Sequence, residues 1–210
     1  MKIFLAIIAS IIVISALIIG YLYNQFTYQP EYFQAIEEIE SSQIKDHTRA
    51  VKNRIIKDME QEGRAKLDGE DIMLLTLNQL SQETDLDFAG FISKSTSEMK
   101  NGKLRTEAII NLKALSEQNM SAEDRKDFDA AMRYIPDVMA GEIYIAVEAT
   151  PVKKKGTLYL ADDLVFSIGD FEQSIPEVKQ NRDLRIELSE LHKAGISDII
   201  VHDNYIEIVK

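Results

Sequence analysis

The chain has 210 residues, of which 45% are hydrophobic and 28% charged, and its net charge is −11. These proportions are typical of a globular protein rather than a disordered one, and the negative charge argues against nucleic acid, whose phosphates would be repelled. The absence of cysteine excludes disulfides, thiol chemistry and lipoprotein attachment.

The first structural signal is an uncharged apolar run from Ile3 to Tyr23. As a helix it would rise about 31 Å, enough to cross the hydrocarbon core of a bilayer. A cleavable signal peptide has a shorter apolar core followed by small residues, whereas this run ends in bulky ones, so we expect an uncleaved, single-pass anchor. Lys2 precedes the run and the next basic residue is Lys45, which predicts a cytoplasmic N-terminus and a main domain outside, in the periplasm or at the cell exterior.

The pattern after the anchor predicts two further parts. Residues 24–62 are a juxtamembrane linker followed by a charged amphipathic helix over 31–62, and residues 63–210 are an α+β extracytoplasmic domain. The helical segment is one helix, or two with a break near Ser41 and Ser42. Gly63 is expected to end it, because glycine readily adopts the left-handed conformation that terminates helices.

The domain itself opens with a strand over 64–67 and a helix over 71–82. Strands are predicted over 88–100 and 103–115, joined by Asn101-Gly102, a strong two-residue hairpin signal. On the second strand Leu104, Thr106, Ala108, Ile110 and Leu112 alternate with polar residues. Ile109 interrupts the polar side, which indicates that the outer face of this strand is partly covered.

The second half of the domain again has a helix followed by long strands. A helix is predicted over 122–135 and strands over 142–149 and 157–168, the latter with a bulge at 161–163. A hairpin of 196–201 and 205–209 closes the chain. The predicted fold class is α+β: an N-terminal transmembrane helix, then a curved, mainly antiparallel sheet of long hairpins packed on helices.

No catalytic or phosphate-binding motif is present in the sequence. The three histidines, His47, His192 and His202, are widely separated and favour surface roles over a zinc site. Asp162-Asp163 and the three lysines at 153–155 are each interpreted as solvated turns rather than as binding sites. We therefore assign no catalytic residue, no metal ligand and no cofactor.

Four segments carry a family resemblance. Residues 66–80, 101–115, 141–178 and 195–209 resemble, in order, the strand and helix, the first return strand, the second hairpin and the closing hairpin of small membrane-anchored bacterial domains of the YpmS and YceB kind. These are similar to the tubular lipid-binding superfamily, in which a curved sheet wraps a long helix and holds lipid tails. The resemblance implies binding of a lipid or hydrophobic ligand and no catalytic residues. The segment 31–44 and the lysine-rich turn depart from the family pattern.

Three functions follow as hypotheses. The first is a non-enzymatic domain that binds or passes a lipid-like ligand, lined by apolar side chains on the long strands: Ile110, Leu112, Ile145, Val147, Leu164 and Phe166. The alternative reading of these residues is that they fill a closed core. The second hypothesis is an envelope scaffold that docks a protein partner through helix 31–62. The third, a hydrolase built on carboxylates, has no motif to support it.

Overall fold

The structure, a computed structural model, describes residues 25, 27–36, 38, 41–84, 86–132, 141–154, 157–160, 163–174, 185–186 and 196–210. Over these residues the chain is α+β with mainly antiparallel sheets, as predicted, and it has few helices. The α-helices are α1 (Ser41–Glu62), α2 (Gly69–Thr84), α3 (Leu112–Ser116) and α4 (Ala122–Met132). None of these helices has the length and apolar character needed to cross a bilayer, and the predicted anchor, residues 3–23, lies outside the described residues.

The described strands form three antiparallel sheets. Their bounds are β1 (Arg64–Leu67), β2 (Ile92–Lys100), β3 (Lys103–Asn111), β4 (Glu142–Ala149), β5 (Pro151–Lys154), β6 (Thr157–Leu160), β7 (Val165–Ile168), β8 (Phe171–Ser174), β9 (Arg185–Ile186), β10 (Asp198–Val201) and β11 (Ile206–Val209). The largest sheet has the order β2-β3-β4-β7-β8, and the two smaller ones have the orders β1-β11-β10 and β5-β6-β9.

The predicted helical segment 31–62 is divided, as the sequence allowed. A 3-10 helix spans Glu31–Ala35, and α1 begins at Ser41. Helix α1 ends at Glu62, directly before Gly63, as predicted. Gly63 has φ +69°, and its N–H donates to the Met59 carbonyl at 3.2 Å. The apolar side of α1 is buried in the domain through Ile55 and Met59, which pack with residues of β1 and β11.

The hairpin prediction at Asn101-Gly102 is confirmed. Lys100 pairs with Lys103 across the turn, and the two turn residues have φ of 53° and 75°. These positive values are what a two-residue hairpin requires, and they explain why asparagine and glycine occupy the turn. The closing hairpin is confirmed as β10 and β11, and β1 adds to its other side.

Three strand predictions were wrong in extent. The return strand predicted to Leu115 ends at Asn111, whose Oδ1 accepts a hydrogen bond from the Ala114 N–H at 2.9 Å and so caps α3. The strand predicted from Phe88 is preceded by a 3-10 turn and begins at Ile92. The predicted strand 157–168 with a bulge is two strands, β6 and β7, in different sheets. At these positions a helix cap, a 3-10 turn or a change of sheet therefore ends or interrupts the strand, although the apolar alternation continues.

Helix α2 packs tightly against β2. At the start of α2, a Cβ atom placed on Gly69 would lie 2.6 Å from the backbone N and Cα of Glu98, so the close approach of helix and strand depends on glycine. Asp68 and Asp71 cap the same helix end reciprocally, each carboxylate accepting the other residue's N–H, at 2.9 and 3.0 Å.

Candidate functional site

The five-stranded sheet brings four of the six predicted lining side chains onto one face. Val147 on β4 pairs with both Thr106 on β3 and Phe166 on β7. Paired residues of antiparallel strands project from the same side, and alternate residues of one strand do too. Ile110 and Ile145 therefore share this side, which we call the inner face.

The inner face is only partly covered. Ile110 is buried in a cluster that includes Ile92 and Ile143, but Ile145, Val147 and Phe166 are each half-buried. Apolar side chains that stay accessible in the middle of a sheet retain surface that could be removed from water by a ligand.

The other two predicted lining residues lie elsewhere. Leu112 belongs to α3, beyond the end of β3, and is buried in the cluster that contains Ile110. Leu164 precedes β7 and is also buried. Both were predicted as strand residues, and that part of the prediction was wrong because β3 ends one residue before Leu112 and β7 begins one residue after Leu164.

Small hydroxyl side chains lie between the apolar residues of the inner face. Ser97 on β2 and Thr106 on β3 are paired, with 2.8 Å between their hydroxyl oxygens. Ser95 is on the same face and is buried, and its Oγ has no hydrogen-bond partner among the described residues. The β2–β3 side of the inner face therefore has small side chains and buried polar atoms.

The opposite, outer face is covered by the chain that precedes α1. Gln25 and residues 27–36, which we call the strap, lie across this face. Phe33 is 1% exposed and packs edge-on against the Tyr144 ring, with 5.3 Å between centroids. Ile109 and Ala146 complete this cluster. The isoleucine that interrupted the polar side of β3 is therefore covered, as predicted, and the strap is what covers it.

A buried carboxylate lies beside this aromatic cluster. Glu107 on β3 is 6% exposed and accepts hydrogen bonds from the hydroxyl of Tyr144 at 2.6 Å, the hydroxyl of Tyr32 at 2.7 Å and Nε of Arg105 at 2.8 Å. Arg105 also donates to the Tyr144 hydroxyl at 3.3 Å. The charge of Glu107 is thus compensated by one cation and two hydroxyl donors.

Burial alone would raise the pKa of Glu107, but the hydrogen bonds from Tyr144, Tyr32 and Arg105 together hold it below its usual value. Burial and the bond to Glu107 raise the pKa of Tyr144, and the same two causes raise that of Tyr32. Near neutral pH the carboxylate stays ionised and the phenols stay protonated. This arrangement suits a fixed contact rather than proton transfer, which needs a group that titrates near the working pH.

Only an indirect signal of this cluster is present in the sequence. Ile109 on an otherwise polar side indicates that something covers this face, but no local pattern distinguishes Glu107 or Tyr32 from other polar residues. The two residues are 75 positions apart, and no spacing rule connects a linker tyrosine with a strand carboxylate. The strap contributes to the burial of Glu107, and the strand pattern alone cannot show this contact.

The remaining candidates have ordinary partners. His202 stacks on Tyr205 with 4.4 Å between ring centroids, and its Nε2 lies 3.3 Å from the Glu207 carboxylate. Asp163 accepts both the N–H and the hydroxyl of Thr150, and Lys153 pairs with Asp198. Asp162 and His192 lie outside the described residues. Among the described side chains, no three histidines or carboxylates come close enough together to hold a metal ion.

Comparisons with known proteins identify no family for this chain. No family model, no curated protein and no solved structure matches the chain.

Proposed function

We propose that this protein is a membrane-anchored, non-enzymatic domain held outside the cytoplasm, which binds or passes a lipid or another hydrophobic ligand on its inner face. The observation that carries the proposal is the convergence of Ile110, Ile145, Val147 and Phe166 from three adjacent strands onto one side of the sheet. Three of these side chains remain half-buried, so a bound acyl chain would remove further apolar surface from water.

The chemistry of the inner face narrows the ligand class. Hydroxyls of Ser95, Ser97 and Thr106 lie beside the apolar side chains of the inner face, and the buried Ser95 hydroxyl has no hydrogen-bond partner among the described residues. An amphiphile with a hydrogen-bonding group on its chain or near its head fits this mixture better than an alkane.

Two features of the sequence support the same proposal. The apolar run of residues 3–23 would keep the domain within reach of lipid. The strand pattern resembles membrane-anchored domains similar to the tubular lipid-binding superfamily, whose curved sheets hold lipid tails. The proposed localisation is therefore the cytoplasmic membrane, with a single pass and the main domain outside.

Photocrosslinking in living bacteria tests the ligand. The photoreactive amino acid benzoylphenylalanine replaces Phe166 on the inner face of the full chain, and in a matched variant it replaces Val165, the preceding residue on the other side of β7. We expect a covalent lipid adduct, seen by mass spectrometry of the purified chain, at position 166 and not at 165. Equal yields at the two positions, or no adduct at 166, would reject the proposal.

A blocking substitution gives an independent measurement. Because the chain has no tryptophan, Val147→Trp both fills the inner face and adds a unique fluorophore. We expect less lipid to copurify with this variant than with Val165→Trp, which adds the same ring on the outer side. Unchanged lipid content in Val147→Trp would contradict binding on the inner face.

A second candidate function is docking of a protein partner through the segment 31–62. The observation in its favour is Ile56, which is 40% exposed on the polar side of α1. Against it, Ile55 and Met59 are already buried within the domain, so the helix offers little apolar surface to a partner. Membrane crosslinking from position 56 tests this candidate, and a defined partner captured there would favour it over lipid binding.

A further inference from the structure

The strap connects the predicted membrane anchor to one end of the five-stranded sheet. The Gln25 carbonyl accepts a hydrogen bond from the Asp170 N–H at 2.8 Å, in the turn between β7 and β8. The predicted anchor ends at Tyr23, and two residue steps span at most about 7 Å. The β7–β8 turn is therefore held within a short distance of the point where the chain would leave the bilayer.

The same end of the sheet includes the neighbouring strand ends. Gly169 donates its N–H to the Tyr144 carbonyl at 2.8 Å, and Asn111 at the end of β3 pairs with Glu142 at the start of β4. We call this the anchor-side end. The opposite end contains the Asn101-Gly102 hairpin, whose Gly102 N–H donates to the Asp203 carbonyl at 2.9 Å. We call that the hairpin end.

The strap is fixed to the sheet at several points, so the connection is not a loose linker. Besides the Gln25 contact, Phe33 is buried against Tyr144, and Lys94 Nζ on β2 donates to the Phe33 carbonyl at 3.0 Å. Tyr32 donates to the buried carboxylate of Glu107. These contacts reach β2, β3, β4 and the β7–β8 turn, and they leave few conformations to the chain between anchor and domain.

We propose that the strap orients the domain on its own membrane, with the anchor-side end toward the bilayer surface and the hairpin end away from it. This inference rests on the anchor in the proposed function and not on ligand binding. The nine residues of β3 span about 26 Å between the two ends. The proposed orientation therefore places the two ends at clearly different distances from the bilayer surface.

Electrostatic attraction to lipid does not explain this orientation. Among the described residues, the exposed charges at the strand ends and turns of the anchor-side end include four acids, Asp87, Glu117, Glu142 and Asp170, and one base, Lys113. Anionic headgroups would repel such a surface. The covalent tether and the strap contacts must therefore impose the orientation, which should not change with the content of anionic lipid.

The orientation has a consequence for ligand transfer. Ile110 and Ile145 lie nearer the anchor-side end of the inner face than Thr106 and Val147, because β3 and β4 run in opposite directions between the same two ends. A lipid leaving the outer leaflet would reach this part of the inner face first.

Fluorescence energy transfer in proteoliposomes tests the orientation. Since the chain has no cysteine, single cysteines label unique exposed positions of the full chain: Gly141→Cys and Asp170→Cys at the anchor-side end, Lys100→Cys and Asp203→Cys at the hairpin end. The acceptor is a headgroup-labelled phospholipid in phosphatidylcholine vesicles with and without phosphatidylglycerol. We expect higher transfer from positions 141 and 170 than from 100 and 203 in both vesicles. Equal or reversed efficiencies would overturn the proposal.

A linker insertion shows whether the tether is the cause. Twelve Gly/Ser residues between Tyr23 and Asn24 leave the anchor and the strap intact but separate them by about 20 Å of flexible chain. The difference between the two ends should then shrink at least severalfold, and a difference that persists would overturn the role of the strap. Resistance to alkaline carbonate extraction, measured first on every variant, tests the anchor alone, so a wrong orientation is told apart from a missing anchor.

Discussion

The hydroxyl of Tyr32 lies 2.7 Å from each carboxylate oxygen of Glu107. Tyr32 belongs to the strap and Glu107 to the middle of β3, so this contact joins the chain that follows the predicted anchor to an interior strand of the largest sheet. The bond is charge-assisted, and such bonds are stronger than neutral ones. The strap is therefore held by a carboxylate that the strap itself, together with Tyr144 and Arg105, helps to bury.

The two tyrosines that contact Glu107 should differ in their effect on stability. Tyr144→Phe removes a donor to a buried carboxylate and should lower the free energy of unfolding by about 1.5–3 kcal/mol. Tyr32→Phe should cost less, about 1 kcal/mol, because Tyr32 is 52% exposed and water can replace its hydroxyl. Urea unfolding of the full chain in detergent micelles, followed by circular dichroism, measures both.

The control for these substitutions is Tyr28→Phe. Tyr28 is 46% exposed, and removal of a solvated hydroxyl should change the free energy of unfolding by less than about 0.5 kcal/mol. If Tyr144→Phe were as neutral as Tyr28→Phe, the hydrogen bonds to Glu107 would contribute nothing to the folded state.

Acid should weaken the domain through Glu107. Burial would raise its pKa, but the bonds from Tyr144, Tyr32 and Arg105 hold the pKa below the usual 4.5. A depressed carboxylate pKa stabilises the folded state fully above the unfolded value, and this stabilisation is lost as pH falls through the folded value. The loss is therefore expected below about pH 4.5.

Urea midpoints between pH 7 and pH 3 measure this dependence. Glu107→Gln, which cannot ionise, should be less stable at pH 7 and should lose less stability below pH 4.5. Asp163→Asn is the comparison. Burial would raise the pKa of Asp163, but the hydrogen bonds from Thr150 hold it below its usual value. Unlike Glu107, this side chain is exposed. Parallel curves of stability against pH for wild type and Glu107→Gln would show that Glu107 does not cause the loss of stability in acid.

The sequence predicted those elements whose signals are local. The Asn101-Gly102 turn, the end of α1 at Gly63 and the closing hairpin each follow from residues that are adjacent in the chain. Strand ends were predicted less well, since Asn111 caps a short helix at a point where the apolar alternation continues through Leu112. Periodicity indicates which face a residue takes but not where a cap ends the strand.

The candidate site was predictable only in part, for a related reason. Alternation on β4 correctly placed Ile145 and Val147 on one face, and the register then added Phe166. The outer cluster required knowing that Phe33 and Tyr32, in a linker, fold back on β3 and β4. That contact is nonlocal, and no periodic pattern within the linker indicates it.

Gly69 should be intolerant of a side chain for steric reasons alone. A Cβ there would lie 2.6 Å from backbone atoms of Glu98, and backbone, unlike a flexible side chain, cannot move aside cheaply. Gly69→Ala should therefore force α2 away from β2 and lower the free energy of unfolding by about 1–3 kcal/mol. Urea unfolding in micelles measures the change.

Gly141→Ala is the matched control, because nothing lies within 4 Å of the added carbon. It should change stability by less than about 0.5 kcal/mol. A Gly69→Ala variant as stable as Gly141→Ala would show that α2 and β2 are farther apart than the structure places them.

Gly102 should be intolerant of a side chain for conformational reasons. It has φ +75°, and nothing lies within 4 Å of an added Cβ. Gly102→Ala should therefore lower the free energy of unfolding by about 1–2 kcal/mol from the left-handed backbone alone, whereas Asn101→Gly should be tolerated because glycine reaches the same φ freely.

Because the Gly102 N–H donates to the Asp203 carbonyl, the Gly102→Ala variant should also exchange amide hydrogens faster at both hairpin tips. Unfolding in urea and hydrogen exchange followed by mass spectrometry measure these effects, and a Gly102→Ala variant with wild-type stability and exchange would contradict the turn geometry.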